Sequence, residues 1–244
     1  EATEGNGITG ALLVQAANNL EDTGLMLEAA ESCSLVKGVV GWLPLIEPEK
    51  VAMLLEGDFG SNKYIKGIRH LIHNEPDPRW LLQTEVIESL KILANHGLPF
   101  DLVGILPEHI ETALLVAEKV PGLYMVFDHL NQPPIDTGDK FGEWGELLAE
   151  AARHDKFYCK ISGLGFPSGK PFKWKAEDVA PYIGFVLQKF GTDRCFCGGD
   201  WPVSLLAGEY SYTMDIYKLV LQGLLDKDNM DKVLDRNAEA FYKL

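Results

Sequence analysis

The sequence predicts an α/β fold in which strands and helices alternate along the whole chain. Two observations predict it: apolar, β-rich stretches are separated by longer segments of helical periodicity, and polar residues stand at the C-terminal ends of several apolar stretches. Strict alternation implies parallel strands with right-handed crossovers, as in a doubly wound sheet or a (β/α) barrel. Polar groups that converge at strand ends are what a barrel enzyme requires.

The apolar stretches give seven strand candidates, at residues 11–16, 39–45, 64–72, 100–106, 123–130, 157–164 and 195–199. The helical candidates lie between them, at residues 21–32, 47–58, 81–97, 107–120, 141–154 and 177–191. The tail, residues 209–244, is predicted to add further helix. Because no low-complexity linker divides the chain, we expect residues 1–244 to form a single domain.

Composition narrows the class of partner. A hydrophobic content of 46% supports a large core, and a formal charge of −14 argues against nucleic acids and anionic membrane surfaces, which select basic proteins. A small-molecule substrate is expected instead. No apolar run reaches the length of about 18–20 residues that spans a bilayer, and residues 1–10 lack the pattern of a signal peptide. These features predict a cytoplasmic protein.

The four cysteines are predicted to be free, buried thiols: Cys33, Cys159, Cys195 and Cys197. They form no C-x-x-C pair, and so few cysteines do not resemble a disulfide framework. Cys195 and Cys197 share one face of a strand. Core packing is favoured for this pair, with metal ligation as the alternative.

Charged residues at the strand ends are candidates for a site. Asp200 ends the run CFCGGD, although an Asp after a strand is often a helix cap or turn former. His129 stands beside Asp128, and the two could equally be a satisfied core pair. Arg69 and Lys160 lie inside apolar strands, where a cation needs a carboxylate or an anionic ligand nearby. Their positions therefore favour a site.

Several motifs together resemble one family. GIRH with DPRWL, DHL followed by PPI, KISGL, and GDWP occur in order between about Thr9 and Leu244. This series is similar to the lactone-hydrolysing branch of the amidohydrolase superfamily, which includes L-fuconolactonase, L-rhamnonolactonase, 4-sulfomuconolactone hydrolase and pyrone dicarboxylate lactonase. The resemblance implies a (β/α)8 TIM-type barrel, and it favours the barrel over the doubly wound sheet.

The resemblance also implies roles for residues. Asp200 matches the acid after the last barrel strand, which is the general base for the attacking water. His129 matches the histidine of the sixth strand, next to the reacting water or carbonyl.

The remaining candidates are expected to bind substrate: Arg69, Lys160, His73, His109 and Trp201. Arg69 and Lys160 are cationic donors for a carboxylate or for the oxyanion. His109 is as consistent with packing at a helix N-terminus, and His73 with a loop position, because its neighbourhood is rich in turn residues.

One departure from the family concerns the first strand. These barrels begin with a strand that carries an H-x-H pair, and this sequence contains no H-x-H; residues 11–16 match the second strand of the family. We therefore expect a barrel that lacks its first βα unit. We also expect no tightly held metal, and zinc binding only if an H-x-H pair is supplied. The missing strand would expose the edges at 11–16 and 195–199, so copies of the chain would associate, the mouth would be open, or another segment would fill the slot.

The favoured function is a hydrolase that opens a sugar lactone or related cyclic ester, with Asp200 as base. One alternative is a metal-dependent amide hydrolase or decarboxylase of the same superfamily. The other is a degenerate barrel that serves as a binding protein, which the missing strand makes plausible.

Overall fold

The computed structural model describes residues 7–244, in which strands and α-helices alternate. The strands are β1 (Ala11–Val14), β2 (Val36–Gly41), β3 (Ile65–His70), β4 (Phe100–Leu102), β5 (Met125–Phe127), β6 (Phe157–Ile161) and β7 (Cys195–Cys197). The α-helices are α1 (Leu20–Ser32), α2 (Pro48–Glu56), α3 (Asp58–Ser61), α4 (Thr84–Asn95), α5 (Pro107–Lys119), α6 (Gly142–Ala151), α7 (Ala176–Phe190), α8 (Tyr210–Leu224), α9 (Lys227–Asp231) and α10 (Asn237–Tyr242).

The strands of the described residues form a seven-stranded sheet in chain order, from β1 to β7. The pairs β1 with β2, β2 with β3, β3 with β4, and β6 with β7 are parallel. The α/β class, the number of strands and the parallel pairing that the alternation predicts are thereby confirmed. In such sheets all strands end at one edge, so the residues that follow them can share a site.

Residues 9–126 and 241–244 form one compact unit. Its core includes Val39, Val40, Ile68 and Phe100, none of which has measurable exposure. Branched and aromatic side chains suit strands that are covered on both faces. Helix α1 begins where the side chain of Asn19 accepts a hydrogen bond of 2.8 Å from the backbone of Asp22, an N-cap that satisfies one of the free amides of the first turn.

Residues 127–240, together with residues 7 and 8, form the other unit. Arg194, just before β7, donates to the carbonyl oxygens of Ala152 at 2.7 Å and Phe190 at 3.1 Å, at the C-terminal ends of α6 and α7. A cation is favourable where helix carbonyls lack partners. Asn237 donates to the carbonyl of Cys195 at 2.8 Å, so the start of α10 is tied to β7.

The strands begin and end at other residues than predicted. The candidate at 39–45 is a strand at 36–41, because the backbone amide of Trp42 donates to the side chain of Thr23 at 2.9 Å instead of continuing the ladder. The candidate at 123–130 ends at Phe127, and Asp128–Asn131 turn away as a 3-10 segment.

The cysteines are free, as predicted, and Cys159 and Cys195 are buried. The predicted burial is wrong for Cys33, which is exposed because it caps the C-terminus of α1, and incomplete for Cys197.

Two expectations about the whole chain stay predictions: a single barrel domain over residues 1–244, and a barrel that lacks its first βα unit. Within residues 7–244, no helix has the length and apolar character that crossing a membrane requires.

The C-terminal residues offer a test of what holds the first unit together. The hydroxyl of Tyr242 donates to the buried carboxylate of Asp101 at 2.8 Å. Tyr242→Phe removes a donor from a buried carboxylate, so we expect the free energy of unfolding to fall by about 1.5–3 kcal/mol. Urea unfolding measures it. Tyr64→Phe is the matched control because no hydrogen bond of its hydroxyl is seen in the described chain, and equal losses in the two variants would contradict the assignment.

Candidate active site

His129 stands immediately after β5, in a turn with unusual backbone geometry. Its φ and ψ are 55° and 33°, and the next residues, Leu130, Asn131 and Gln132, also have positive φ. Left-handed conformations cost a residue with a side chain about 1–2 kcal/mol each, and they persist where the surroundings enforce them. Here the burial of Leu130 and the hydrogen bond of 2.8 Å from the Trp144 indole to the Leu130 carbonyl hold the turn.

Asp200 follows β7 and meets His129. The Asp200 Oδ1 atom lies 3.6 Å from Nε2 of His129, and the two side chains are 17% and 23% exposed. Asp200 also has a left-handed backbone, with φ of 51°, and its carbonyl accepts a hydrogen bond of 2.7 Å from Ser204. Since 3.6 Å exceeds a hydrogen-bond length, the two groups face each other without a direct hydrogen bond, and each side chain is partly exposed.

Ser162, directly after β6, completes this cluster. Its Oγ atom lies 2.9 Å from Nδ1 of His129, and the serine is 1% exposed. The sequence places Ser162 among the polar strand ends, but its spacing of 33 residues from His129 gives no signal of the contact. We name Asp200, His129 and Ser162 the acid–histidine cluster.

Lys160 lies on the same face of β6 as Ser162, two residues earlier. Its ammonium is 2.5 Å from the carboxylate of Asp128, which has no exposure, and 6.0 Å from the ring centre of Phe196. Lys160, a cation in an apolar strand, therefore has its carboxylate partner in Asp128, the residue before His129. A contact of Lys160 with substrate stays a prediction.

Trp201 is largely exposed, at 58%, beside Asp200 in the chain. The residues after it, Val203–Leu206, form a short 3-10 helix in which Val203 and Leu206 are also exposed. An accessible indole next to a carboxylate offers an apolar surface to a ligand, because aromatic faces bind apolar faces of other molecules.

The other predicted site residues lie in the unit of residues 9–126, where each has local partners. The guanidinium of Arg69 donates to the carbonyl of Gln15, and the amide of Gln15 donates back to the carbonyl of Arg69 at 3.0 Å. His73, in a short 3-10 helix after β3, has its Nδ1 atom 3.1 Å from the carbonyl of Val103. Nδ1 therefore carries a proton in this contact.

His109 packs at the N-terminus of α5. Its Nδ1 atom accepts hydrogen bonds of 3.1 Å from the backbone amides of Ile105 and Leu106, so the proton of the neutral ring is on Nε2. Burial first, and the nearby His73 second, lower the pKa of His109. The hydrogen bonds of Nδ1 agree with the alternative that His109 packs at a helix N-terminus. A role of His109 in substrate binding remains a prediction.

Sequence reasoning missed a cluster around His70. Nδ1 of His70 accepts from the indole of Trp42 at 3.0 Å, Nε2 lies 2.7 Å from the carboxylate of Glu75, and the ring stacks on Trp80 with centres 4.0 Å apart. Burial lowers the pKa of His70, and Glu75 opposes this. The only local signal is Trp80, ten residues after GIRH, because Trp42 lies 28 residues before His70.

A comparison with protein families places the chain. The family model described as Amidohydrolase matches residues 1–244. The chain belongs to the amidohydrolase family. The resemblance inferred from the motifs is thereby confirmed.

Relatives of this amidohydrolase carry lactonase names. L-fucono-1,5-lactonase of Burkholderia ambifaria is 30% identical over 243 residues, which cover 98% of this chain and 81% of the relative. L-rhamnono-gamma-lactonase of Scheffersomyces stipitis is 28% identical over 232 residues, which cover 85% of this chain and 67% of the relative.

A solved structure of an amidohydrolase from Burkholderia multivorans with bound HEPES shares the fold, with a TM-score of 0.89 and 22% identity over 97% of this chain and 84% of the other. A second crystal form of that amidohydrolase holds zinc, with a TM-score of 0.88 and 23% identity over the same shares of the two chains.

A zinc site can be tested against the residues of this chain. Zinc in proteins takes about three or four His, Cys, Asp or Glu ligands. Among residues 7–244, no group of three or more such side chains is placed to hold a metal ion. His129 and Asp200 supply two groups of the right type, so the described residues do not fit a protein-held zinc.

The His70 cluster generates a prediction about pH. Because the folded pKa lies below the ordinary 6.5, the unfolded chain binds the proton more readily. The contribution of neutral His70 to the free energy of unfolding is therefore fully present above pH 6.5, and it is lost as the pH falls through the lowered folded pKa. Urea unfolding between pH 8 and about pH 5 should show a shallower pH slope for His70→Gln than for the parent, whereas the difference at pH 8 measures the lost contacts. Parallel slopes would exclude this role of His70.

Proposed function

We propose that this amidohydrolase opens a sugar lactone or a related cyclic ester, with Asp200 as the base that activates water. The observation that carries the proposal is the approach of Asp200 Oδ1 to His129 Nε2 at 3.6 Å, between two partly exposed side chains that follow different strands. The names of the relatives support the substrate class, because they include an L-fucono-1,5-lactonase and an L-rhamnono-gamma-lactonase.

The first step is attack on the ring carbonyl. The ionised Asp200 carboxylate accepts a proton from water as the water oxygen forms a bond to the carbonyl carbon, which gives a tetrahedral oxyanion. The carbon–oxygen bond of the ring then breaks. Asp200 returns its proton to the departing ring oxygen and is thereby ionised again; the product is an open-chain hydroxy acid, which releases its own proton to solvent.

His129 is assigned to the oxyanion. When the hydroxyl of Ser162 donates to Nδ1, the ring proton lies on Nε2, the atom that faces Asp200. An N–H aimed at the place where negative charge develops stabilises the transition state more than the substrate. Ser162 acts through His129, because at 1% exposure its own oxygen cannot attack substrate.

Substrate contacts outside the acid–histidine cluster form a second part of the proposal. Trp201 is suited to lie against the C–H face of a sugar ring, since its indole is exposed beside the base. Lys160 is held by Asp128 and contributes positive charge behind the cluster. Arg69, in β3, and His73 and His109, which follow β3 and β4, are proposed as substrate-binding residues from their residue types.

The assignment of the strands also belongs to the proposal. With β1 as the second strand of the family's barrel, residues 1–244 contain no H-x-H pair, and the proposed steps are written for Asp200 and His129.

A turnover assay tests the function. The purified chain is given L-fucono-1,5-lactone, L-rhamnono-gamma-lactone and further aldonolactones, with a linear ester of similar size as the comparison substrate. Acid release is followed with a pH indicator against the spontaneous rate, with a chelator or added zinc in parallel arms. We expect at least one aldonolactone to be opened above the spontaneous rate and the chelator to have no effect.

Two results would contradict the proposal. A folded chain that opens none of the lactones would point to a binding protein of the same fold. Turnover that the chelator abolishes and zinc restores would point to the metal-dependent alternative.

Asp200→Asn tests the mechanism on whichever lactone is opened. The amide cannot take a proton from water, so we expect kcat to fall about 10²- to 10⁴-fold while the protein remains folded. Asp193→Asn is the matched control, because Asp193 lies just before β7 with a side chain that is 76% exposed and paired with Lys232. Unchanged turnover in a folded Asp200→Asn protein would remove Asp200 as the base.

A further inference from the structure

Gly163 lies between the two proposed reacting groups. It follows Ser162 and has a φ of +63°, and a Cβ atom at this position would be 2.6 Å from Nδ1 of His129 and 3.0 Å from Oδ2 of Asp200. A separation of 2.6 Å is shorter than any ordinary carbon–nitrogen contact. A side chain at 163 would therefore occupy space that the imidazole and carboxylate now fill.

Neither His129 nor Asp200 can easily move away. His129 is held by Ser162 Oγ at 2.9 Å and by its left-handed turn. Asp200 is held through its own left-handed backbone and through the hydrogen bond of 2.7 Å between its carbonyl and Ser204.

The loop that carries Gly163 is fixed as well. On its far side, the amide of Leu164 donates to the hydroxyl of Tyr217 at 3.0 Å, and Tyr217 is fully buried in the side of α8 that faces this loop. The backbone is thus anchored before Gly163 through Ser162 and after it through Leu164. An added methyl group must be accommodated by the imidazole and the carboxylate rather than by the loop.

We propose that Gly163 is a positioning residue: its missing side chain sets how closely the His129 imidazole and the Asp200 carboxylate approach each other. The catalytic part of this inference rests on the proposed function, whereas the geometric part does not.

Gly138 separates the contact from the backbone effect. It has a similar φ, +71°, but a Cβ atom there would meet nothing within 4 Å. Gly138→Ala therefore reports the cost of alanine at a glycine with positive φ, without any contact. Gly163→Ala carries that cost and the contact with His129 and Asp200 in addition.

The kinetic experiment compares the two alanine variants on the lactone that the parent opens. Displacement of a reacting group by about 1 Å can cost about 100-fold in rate. We expect Gly163→Ala to lower kcat by about 10- to 100-fold with KM within about threefold of the parent, and Gly138→Ala to retain the kcat of the parent. Equal kcat in both variants would overturn the inference while leaving the lactonase proposal intact.

An NMR experiment needs no turnover. The His129 ring signal, identified by its loss in His129→Gln, should shift when Asp200 is replaced by Asn in the parent, and shift by less than half as much in the Gly163→Ala background. An equal shift in both backgrounds would overturn the inference. If the reduced shift is found in a chain that opens no lactone, the positioning role stands and the proposed function fails.

A stability cycle covers the case in which Gly163→Ala does not fold. His129→Ala removes the ring atoms that the new Cβ would meet at 2.6 and 2.8 Å. We expect the loss of Tm on Gly163→Ala to be clearly larger in the parent than in the His129→Ala background, where it should approach the loss that Gly138→Ala causes. A loss that is equally large with and without the imidazole would show that backbone strain, and not the contact, makes glycine necessary.

Discussion

The candidate site depends on one constraint of the backbone: after β5, β6 and β7 the chain turns through left-handed conformations. His129, Gly163 and Asp200 have φ of 55°, 63° and 51°, and each lies two or three residues beyond its strand. At these turns the His129 and Asp200 side chains come within 3.6 Å of each other, and Gly163 lies beside both. Hydrogen bonds and burial around the turns offset the cost of the left-handed backbone.

Two polar residues of β6 and its end explain how the charged acid–histidine cluster is tolerated next to buried apolar residues. Alternation along β6 places Lys160 and Ser162 on one face, so one strand supplies both the partner of Asp128 and the partner of His129. A buried ion pair adds little net stability, but loss of either member leaves an uncompensated buried charge. The Lys160 and Asp128 pair therefore fixes the residue that precedes His129, and its value lies in geometry rather than in stability.

The sequence predicts the strands and helices better than the residues at which they begin and end. It also predicts which polar residues follow the strands better than which of them contact one another. Periodicity identifies β2, but its end at Gly41 depends on Thr23, which lies 19 residues from Trp42 and which no local pattern connects to it. In the same way, Asp200 and His129 are recognisable as polar residues after strands, and the motifs suggest their roles. The pairing of Lys160 with Asp128 is not recognisable, because a cation in an apolar strand predicts some anion without showing which one.

A comparison of two histidines shows what sequence leaves open about the site. His70 and His129 both stand at the end of a strand beside other polar residues. Both ring nitrogens of His70 have partners in the protein, and the ring stacks on Trp80, so its bonding capacity is used within the fold. His129 has one nitrogen on Ser162, while the other faces a carboxylate at 3.6 Å, too far for a direct hydrogen bond. A histidine becomes a candidate for chemistry when the fold satisfies only one of its nitrogens, and that depends on residues 33 and 71 positions away in the chain.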